Sequence, residues 1–162
     1  MFSRFHMYYD DVKLDEEFTT SARTITEADI VNFAGVSGDF NPIHTDHEFA
    51  RSTPWRKPIA HGLLVLSVAT GLAVSTPPMR TIAFVGIREW MFRGPVFIGD
   101  TIRMVSRLKE CIPRSRNRRA DMIWYRSVVN QAGKIVQDGT LATIVEGRAM
   151  LQTPEAKPPE MA

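Results

Sequence analysis

The sequence predicts an α+β fold in which an antiparallel sheet wraps around one apolar helix, and three observations predict it. Leu63 to Val74 (LLVLSVATGLAV) carries no charged side chain, and a helix apolar on nearly every side belongs inside a protein. Four segments of strand character follow, Arg80–Phe92, Thr101–Glu110, Asp121–Asn130 and Lys134–Glu146. The last two are joined by Asn130-Gln-Ala-Gly133, a short loop ending in glycine that makes them antiparallel neighbours. A length of 162 residues suits a single domain whose core folds unaided.

From the start of the chain, Leu14 to Arg23 has the look of a short entering strand. Thr26 then caps a helix, with Asp29 as the reciprocal acid. Ile30, Phe33 and Ala34 give that helix one apolar face before Gly35 stops it. Gly35 and Gly38 permit a tight left-handed exit, and Pro42 holds Asn41 extended. A second capping box, Thr45-x-x-Glu48, starts a short helix through Phe49 and Ala50 that ends before Pro54. Arg56-Lys-Pro-Ile-Ala-His-Gly62 leads into the apolar helix. In the second strand segment Ile102, Met104 and Leu108 alternate with Thr101, Arg103, Arg107 and Lys109, the pattern of a sheet with one wet side. A sheet rolled around a buried helix in this way is the layout called a hot dog. The domain is expected over residues 1–152, and Thr153 to Ala162, with three prolines, reads as a disordered tail.

Composition excludes several classes. An apolar fraction of 44% and a charged fraction of 23% are those of an ordinary globular protein, and a net charge of +2 is too small to imply a nucleic-acid partner. The longest apolar run is too short to span a bilayer, and the N-terminus has no export signal, so no membrane partner and a cytoplasmic location are expected. The single cysteine, Cys111, forms no intrachain disulfide and agrees with a reducing compartment.

The chemistry concentrates in Asp39-Phe-Asn-Pro-Ile-His44, where an acid, an amide and an imidazole stand within six positions of a sharp bend. Such a cluster can converge on one water or one α-proton, as general acid–base work requires. The same residues are also ordinary turn chemistry. The context resolves the choice. Gly38-Asp-Phe-Asn-Pro-Ile-His44, then Arg56-Lys-Pro-Ile-Ala-His-Gly62, then Gly94-Pro-Val-x-x-Gly-Asp-Thr101 resemble the MaoC-type (R)-specific enoyl-CoA hydratases, the hydratase-2 family, over about Leu14 to Glu146. Three separated motifs in order and at the family's spacing are a far stronger signal than any one alone.

The resemblance implies a hot-dog hydro-lyase that adds water reversibly to a trans-2-enoyl thioester. It implies that Asp39 and His44 hold the catalytic water and that the Gly62 backbone N–H forms the oxyanion hole. It also implies a small hydroxyl residue along the central helix, matched by Thr70 with Ser67 as a second candidate. Asn41 is assigned to positioning and His61 to holding the loop beside the substrate. The expected partner is an acyl-CoA thioester, with coenzyme A part of the substrate and no separate cofactor. Its phosphates need cations, for which Arg88 and the cluster around Arg114 and Arg116 are candidates, although a solvated hairpin tip explains the cluster equally. The family is typically a dimer with sheets joined edge to edge and a shared acyl tunnel, so a homodimer is expected.

Rival readings remain. Asp39, His44, Asp46, His47 and His61 are potential metal ligands, but no helix spacing of a metal motif is present, and no metal is expected. A hot-dog thioesterase shares fold and ligand, yet usually carries a carboxylate on or near the central helix, and Gly62 to Ser75 contains none. A non-catalytic acyl-CoA-binding module is the third. Trp90, Trp124 and the apolar face around Phe84 are expected in the core rather than at a ligand, and Met91 or Met104 could border an acyl channel.

Overall fold

The computed structural model describes residues 6–149; the expected tail at 153–162 and the end of the expected domain lie outside them. After a single 3₁₀ turn at Tyr9–Asp11, the elements are β1 (Glu17–Thr19), β2 (Arg23–Thr24), α1 (Glu27–Ser37), α2 (Pro42–Thr45), α3 (His47–Ser52) and α4 (Gly62–Ala73). Four long strands follow, β3 (Thr81–Phe92), β4 (Thr101–Arg114), β5 (Arg119–Val129) and β6 (Ile135–Glu146). The expected strand at 14–23 divides into β1 and β2, which both pair antiparallel with β4. The main sheet runs β1-β4-β5-β6-β3, antiparallel throughout. This is the hot-dog layout. β3, first of the long strands in the chain, lies at one edge.

The alternation in β4 holds. Ile102, Met104 and Leu108 are fully buried, as is Ser106 between them. Two apolar clusters occupy the inner face. One joins Leu64, Val65, Ala69 and Ala73 of α4 to Ile102, Met104, Val128 and Val136. The other packs Leu108, Met122, Trp124 and Val145 under Tyr9 and Val12 of the N-terminal segment.

Several expectations are corrected. α1 does not stop at Gly35 but runs to Ser37, and Gly38 closes it in the left-handed region at φ 77° with its N–H on the Ala34 carbonyl. A mid-helix glycine costs only about 1 kcal/mol, which the buried Ile30 and Ala34 outweigh. The cap of α3 is Asp46 rather than Thr45: its Oδ1 accepts from the N–H groups of Glu48 and Phe49, both at 2.9 Å. Thr45 is drawn into α2, which starts at Pro42 with the Asn41 side chain accepting from the Ile43 N–H.

α4 is not enclosed on all sides either. Leu63, Ser67, Gly71 and Val74 make an exposed stripe along it, with Leu63 60% and Val74 74% exposed. The sheet of one chain covers only the opposite face. Phe84, expected in the core, is 52% exposed because β3 has no strand beyond it. Trp124 and Met104 are core residues, whereas Met91 is 43% exposed.

Candidate active site

The bend after α1 and the approach to α4 are tied together by short hydrogen bonds. Ile59 N–H donates to the Ile43 carbonyl, and Ala60 N–H donates to that of Val96 at 2.7 Å. The Gly94–Thr101 motif therefore buttresses the Ile59–His61 segment, which in turn buttresses the Asp39–His44 bend. Gly99 at φ 90° and Asp100, which accepts from the Phe97 N–H and the Gln131 amide, hold that buttress in shape. Three distant sequence motifs meet in one corner.

The corner fixes its two histidines by backbone carbonyls. His44 Nδ1 lies 2.7 Å from the Ile59 carbonyl oxygen, which can only accept, so Nδ1 carries a proton and the neutral ring has its lone pair on Nε2. That Nε2 faces Asp39 Oδ2 at 3.9 Å, a gap too long for a direct hydrogen bond. His61 Nε2 likewise donates to the Asp39 carbonyl at 2.9 Å. Its ring stacks on that of His44 with centroids 3.8 Å apart, and it is 97% buried with Nδ1 unpartnered. Asp39 is exposed, and its Oδ1 accepts from the Asn41 N–H at 3.2 Å.

Ligand atoms of Asp39, His44 and His61 lie within 4.8 Å of one another. Stacked imidazoles direct their in-plane lone pairs side by side rather than at one point, so this set suits a water between His44 and Asp39 better than an ion between two rings.

A cavity of about 430 Å³ opens beside His44, lined by Ile59, Gly62, Leu63, Phe92 and Val96 among others. The N-terminus of α4 borders it, with backbone donors at the positive end of the helix dipole. The Gly62 carbonyl accepts from Gln137 Nε2 at 2.9 Å, and Gln137 Oε1 accepts from Trp90 Nε1 at 3.0 Å, fixing the height of α4 over β6 and β3. The room left by the missing side chain of Gly62 is filled by Phe92, whose ring would stand 2.6 Å from a Cβ there.

The other expected residues lie elsewhere. Ser67 and Thr70 return their hydroxyl protons to helix carbonyls of Leu63 and Leu66, and they line a second cavity rather than the one at His44. Arg88 on β3 faces Glu110 at 3.5 Å, Arg114 pairs with Asp121 at 3.1 Å, and Arg116 sits in the β4–β5 tip. That tip adjoins Glu146, nine residues along β6 from Gln137, or about 30 Å of strand. Within one chain, Arg114 and Arg116 are not brought to the His44 cavity. One cation does line it, Arg93, whose Nε is paired with Asp138 at 2.8 Å; Lys134 lies beside Gly94 of the lining, and Lys57 rests over the Phe97 ring. Lys57 belongs to the Arg56–Gly62 motif, and its place next to the glycine-opened helix start was the available signal.

Residues 11–129 match the model of the MaoC like domain. The chain belongs to this family. It is 30% identical over 141 residues to an (R)-specific enoyl-CoA hydratase of Rhodospirillum rubrum, covering 87% of this chain and 93% of the relative. Among solved structures it resembles the monoamine oxidase regulatory protein from Archaeoglobus fulgius (TM-score 0.80, 35% identity, 91% and 99% of the two chains). The unliganded R-hydratase PhaJ1 of Pseudomonas aeruginosa is a second likeness (TM-score 0.71, 28% identity, 97% and 96%). With family and fold established, this MaoC-like chain is a hydro-lyase of the dehydratase and hydratase type.

Proposed function

We propose that this MaoC-like enzyme catalyses the reversible hydration of trans-2-enoyl-CoA to (R)-3-hydroxyacyl-CoA. The observation that carries the reading is the His44 Nε2 lone pair, left free by the Ile59 carbonyl and facing Asp39 Oδ2 across 3.9 Å beside the start of α4. A water in that gap can donate to both groups. With the thioester oxygen at the Gly62 N–H, His44 or Asp39 takes a proton from the water as its oxygen bonds to C3. Charge then develops on the thioester oxygen, where the helix-end donor stabilises it. Return of a proton to C2 completes the addition, and the same groups run the dehydration. The R configuration rests on the relatives' names.

The coenzyme A phosphates require cations at the mouth, and Arg93 on the lining with Lys134 beside Gly94 can supply them within one chain. A homodimer belongs to the same proposal, supported by the uncovered apolar edge strand β3. So does a cytoplasmic location, which suits the lone Cys111; burial raises its pKa and leaves the thiol unreactive.

Mixing the protein with crotonyl-CoA tests the reading. Loss of the enoyl-thioester absorbance without free thiol is expected for wild type and not for Asp39→Asn. Thiol release would instead make the protein a thioesterase.

A further inference from the structure

The second cavity, about 500 Å³, lies along the C-terminal half of α4 and is lined by Ser67, Thr70, Val74, Phe84, Trp124 and Arg126 among others. Its wall holds a group the hydration reaction leaves unused. Arg126 sits on the inner face of β5, between Val128 of one apolar cluster and Trp124 of the other. It is 92% buried, its Nε has no hydrogen-bond partner, and it enters none of the ion pairs among the described residues. Ser106, its register partner on β4, is fully buried with Oγ also unpartnered.

An unpaired guanidinium in a core is strongly unfavourable, whereas a paired one with its donors satisfied is tolerated. The Trp124 ring, 5.7 Å from the Arg126 Cζ, supports its charge through the ring face but offers no acceptor to its N–H groups. Burial alone lowers the Arg126 pKa to about 10, which leaves the group charged at neutral pH. Nearby, Thr143 Oγ1 accepts from Trp124 Nε1 at 3.2 Å and retains a proton to donate into the cavity. The planar fork of Arg126 and the Thr143 hydroxyl line the same cavity, whose walls hold no acid, and a guanidinium with a hydroxyl donor is the chemistry that receives a carboxylate.

The two cavities share one helix. Leu63 lines the first and Ser67 the second, one turn on along the exposed stripe of α4. An acyl chain held by its thioester at Gly62 and laid along that stripe therefore leads toward Arg126. We propose that Arg126, with Thr143, binds a carboxylate at the far end of the acyl chain, so that the preferred substrates are monothioesters of unsaturated dicarboxylic acids. This inference rests on the hydratase reading above.

Two series of 2-enoyl-CoA esters of matched length, one ending in a methyl group and the other in a carboxylate, test it on the full chain. Wild type is expected to prefer the carboxylate-ended ester, in kcat/KM, by about 10- to 100-fold at its best length, the scale of a charge-assisted hydrogen-bonded pair. Arg126→Met should lose that preference and improve on the methyl-ended esters, which gain an apolar wall. Thr143→Val should weaken the preference in the same direction and serves if Arg126→Met does not fold. A wild-type preference for methyl ends at every length, or equal loss on both series in Arg126→Met, overturns the proposal. So does a variant that dissociates into monomers with its preference intact, since a second copy's acid would then be the guanidinium's partner. Turnover of neither series would refute the hydratase reading instead. Thermal protection by adipate, compared with hexanoate, then decides the anion site alone: protection of wild type but not of Arg126→Met supports it, and none overturns it.

Discussion

His44 can serve as a base because its other nitrogen is already committed. The Ile59 carbonyl fixes the Nδ1–H tautomer at 2.7 Å, and the Ile59 N–H bond to Ile43 returns the same residue to the helix that carries His44. His44→Ala and Asp39→Asn are each expected to keep KM near the wild-type value while kcat falls by about 10²–10⁴, the usual range for a positioned acid or base. Steady-state kinetics on crotonyl-CoA measure this, and an undiminished kcat would remove the residue from the mechanism. Asp138 provides a separate test through acid stability. Burial tends to raise its pKa, but hydrogen bonds from Arg93 and Tyr125, with the Arg93 charge, lower it on balance. A carboxyl depressed in the fold contributes stability above its unfolded pKa and loses it as pH falls through the folded one. Wild type should therefore exceed Asp138→Asn in unfolding free energy near neutral pH by about 0.5–1 kcal/mol, discounted because Arg93 is half exposed. The difference should narrow below about pH 4 and vanish at still lower pH. A gap that persists in acid would assign the effect to packing.

At the scale of elements, the cap of α3 separates what the residue order reveals from what neighbours decide. Thr45-x-x-Glu48 is a well-formed capping signature, yet Pro42 and the Asn41 side chain start α2 first and leave Asp46 to cap α3. Denaturant unfolding should show Asp46→Ala losing about 1 kcal/mol and Thr45→Ala changing by less than about 0.5 kcal/mol; the reverse order would restore Thr45 as the cap. α4 was legible because its apolar residues, with no charge among them, fit only an interior. The bare stripe along it was not, since periodicity cannot tell which face one copy of a sheet will cover. The burial of Arg126 was not legible for a related reason. Between Tyr125 and Ser127 this arginine reads as another charged strand residue, and only the register with Ser106 and Gly139 turns it inward. The Asp39–His44 motif announced the bend, whereas the carbonyls that fix each imidazole come from residues far along the chain.

For the whole molecule, the decisive imbalance is at β3. Twelve residues of edge strand carry Ile82, Phe84, Val85, Ile87, Met91 and Phe92, each more than 40% exposed, next to the bare Leu63 and Val74 of α4. An edge both long and apolar is a template for pairing, and globular proteins do not leave one open to water. Antiparallel pairing of β3 with its copy would satisfy the free backbone groups and set the exposed apolar side chains of the two strands beside one another. Stable interfaces remove about 800 Å² from each partner, an area within reach of this strand and the adjoining stripe. Because Phe92 closes the room at Gly62 and Phe84 walls the second cavity, the same contact would also shape both cavities. Val85→Lys places an ammonium in the middle of that edge and touches neither His44 nor Asp39. Sedimentation equilibrium at micromolar concentration should give a dimer for wild type and a monomer for Val85→Lys. Hydratase activity of the variant should fall at low protein concentration and recover as concentration rises. A wild-type monomer with full activity would mean that one chain completes the site by itself and that the apolar edge has another partner.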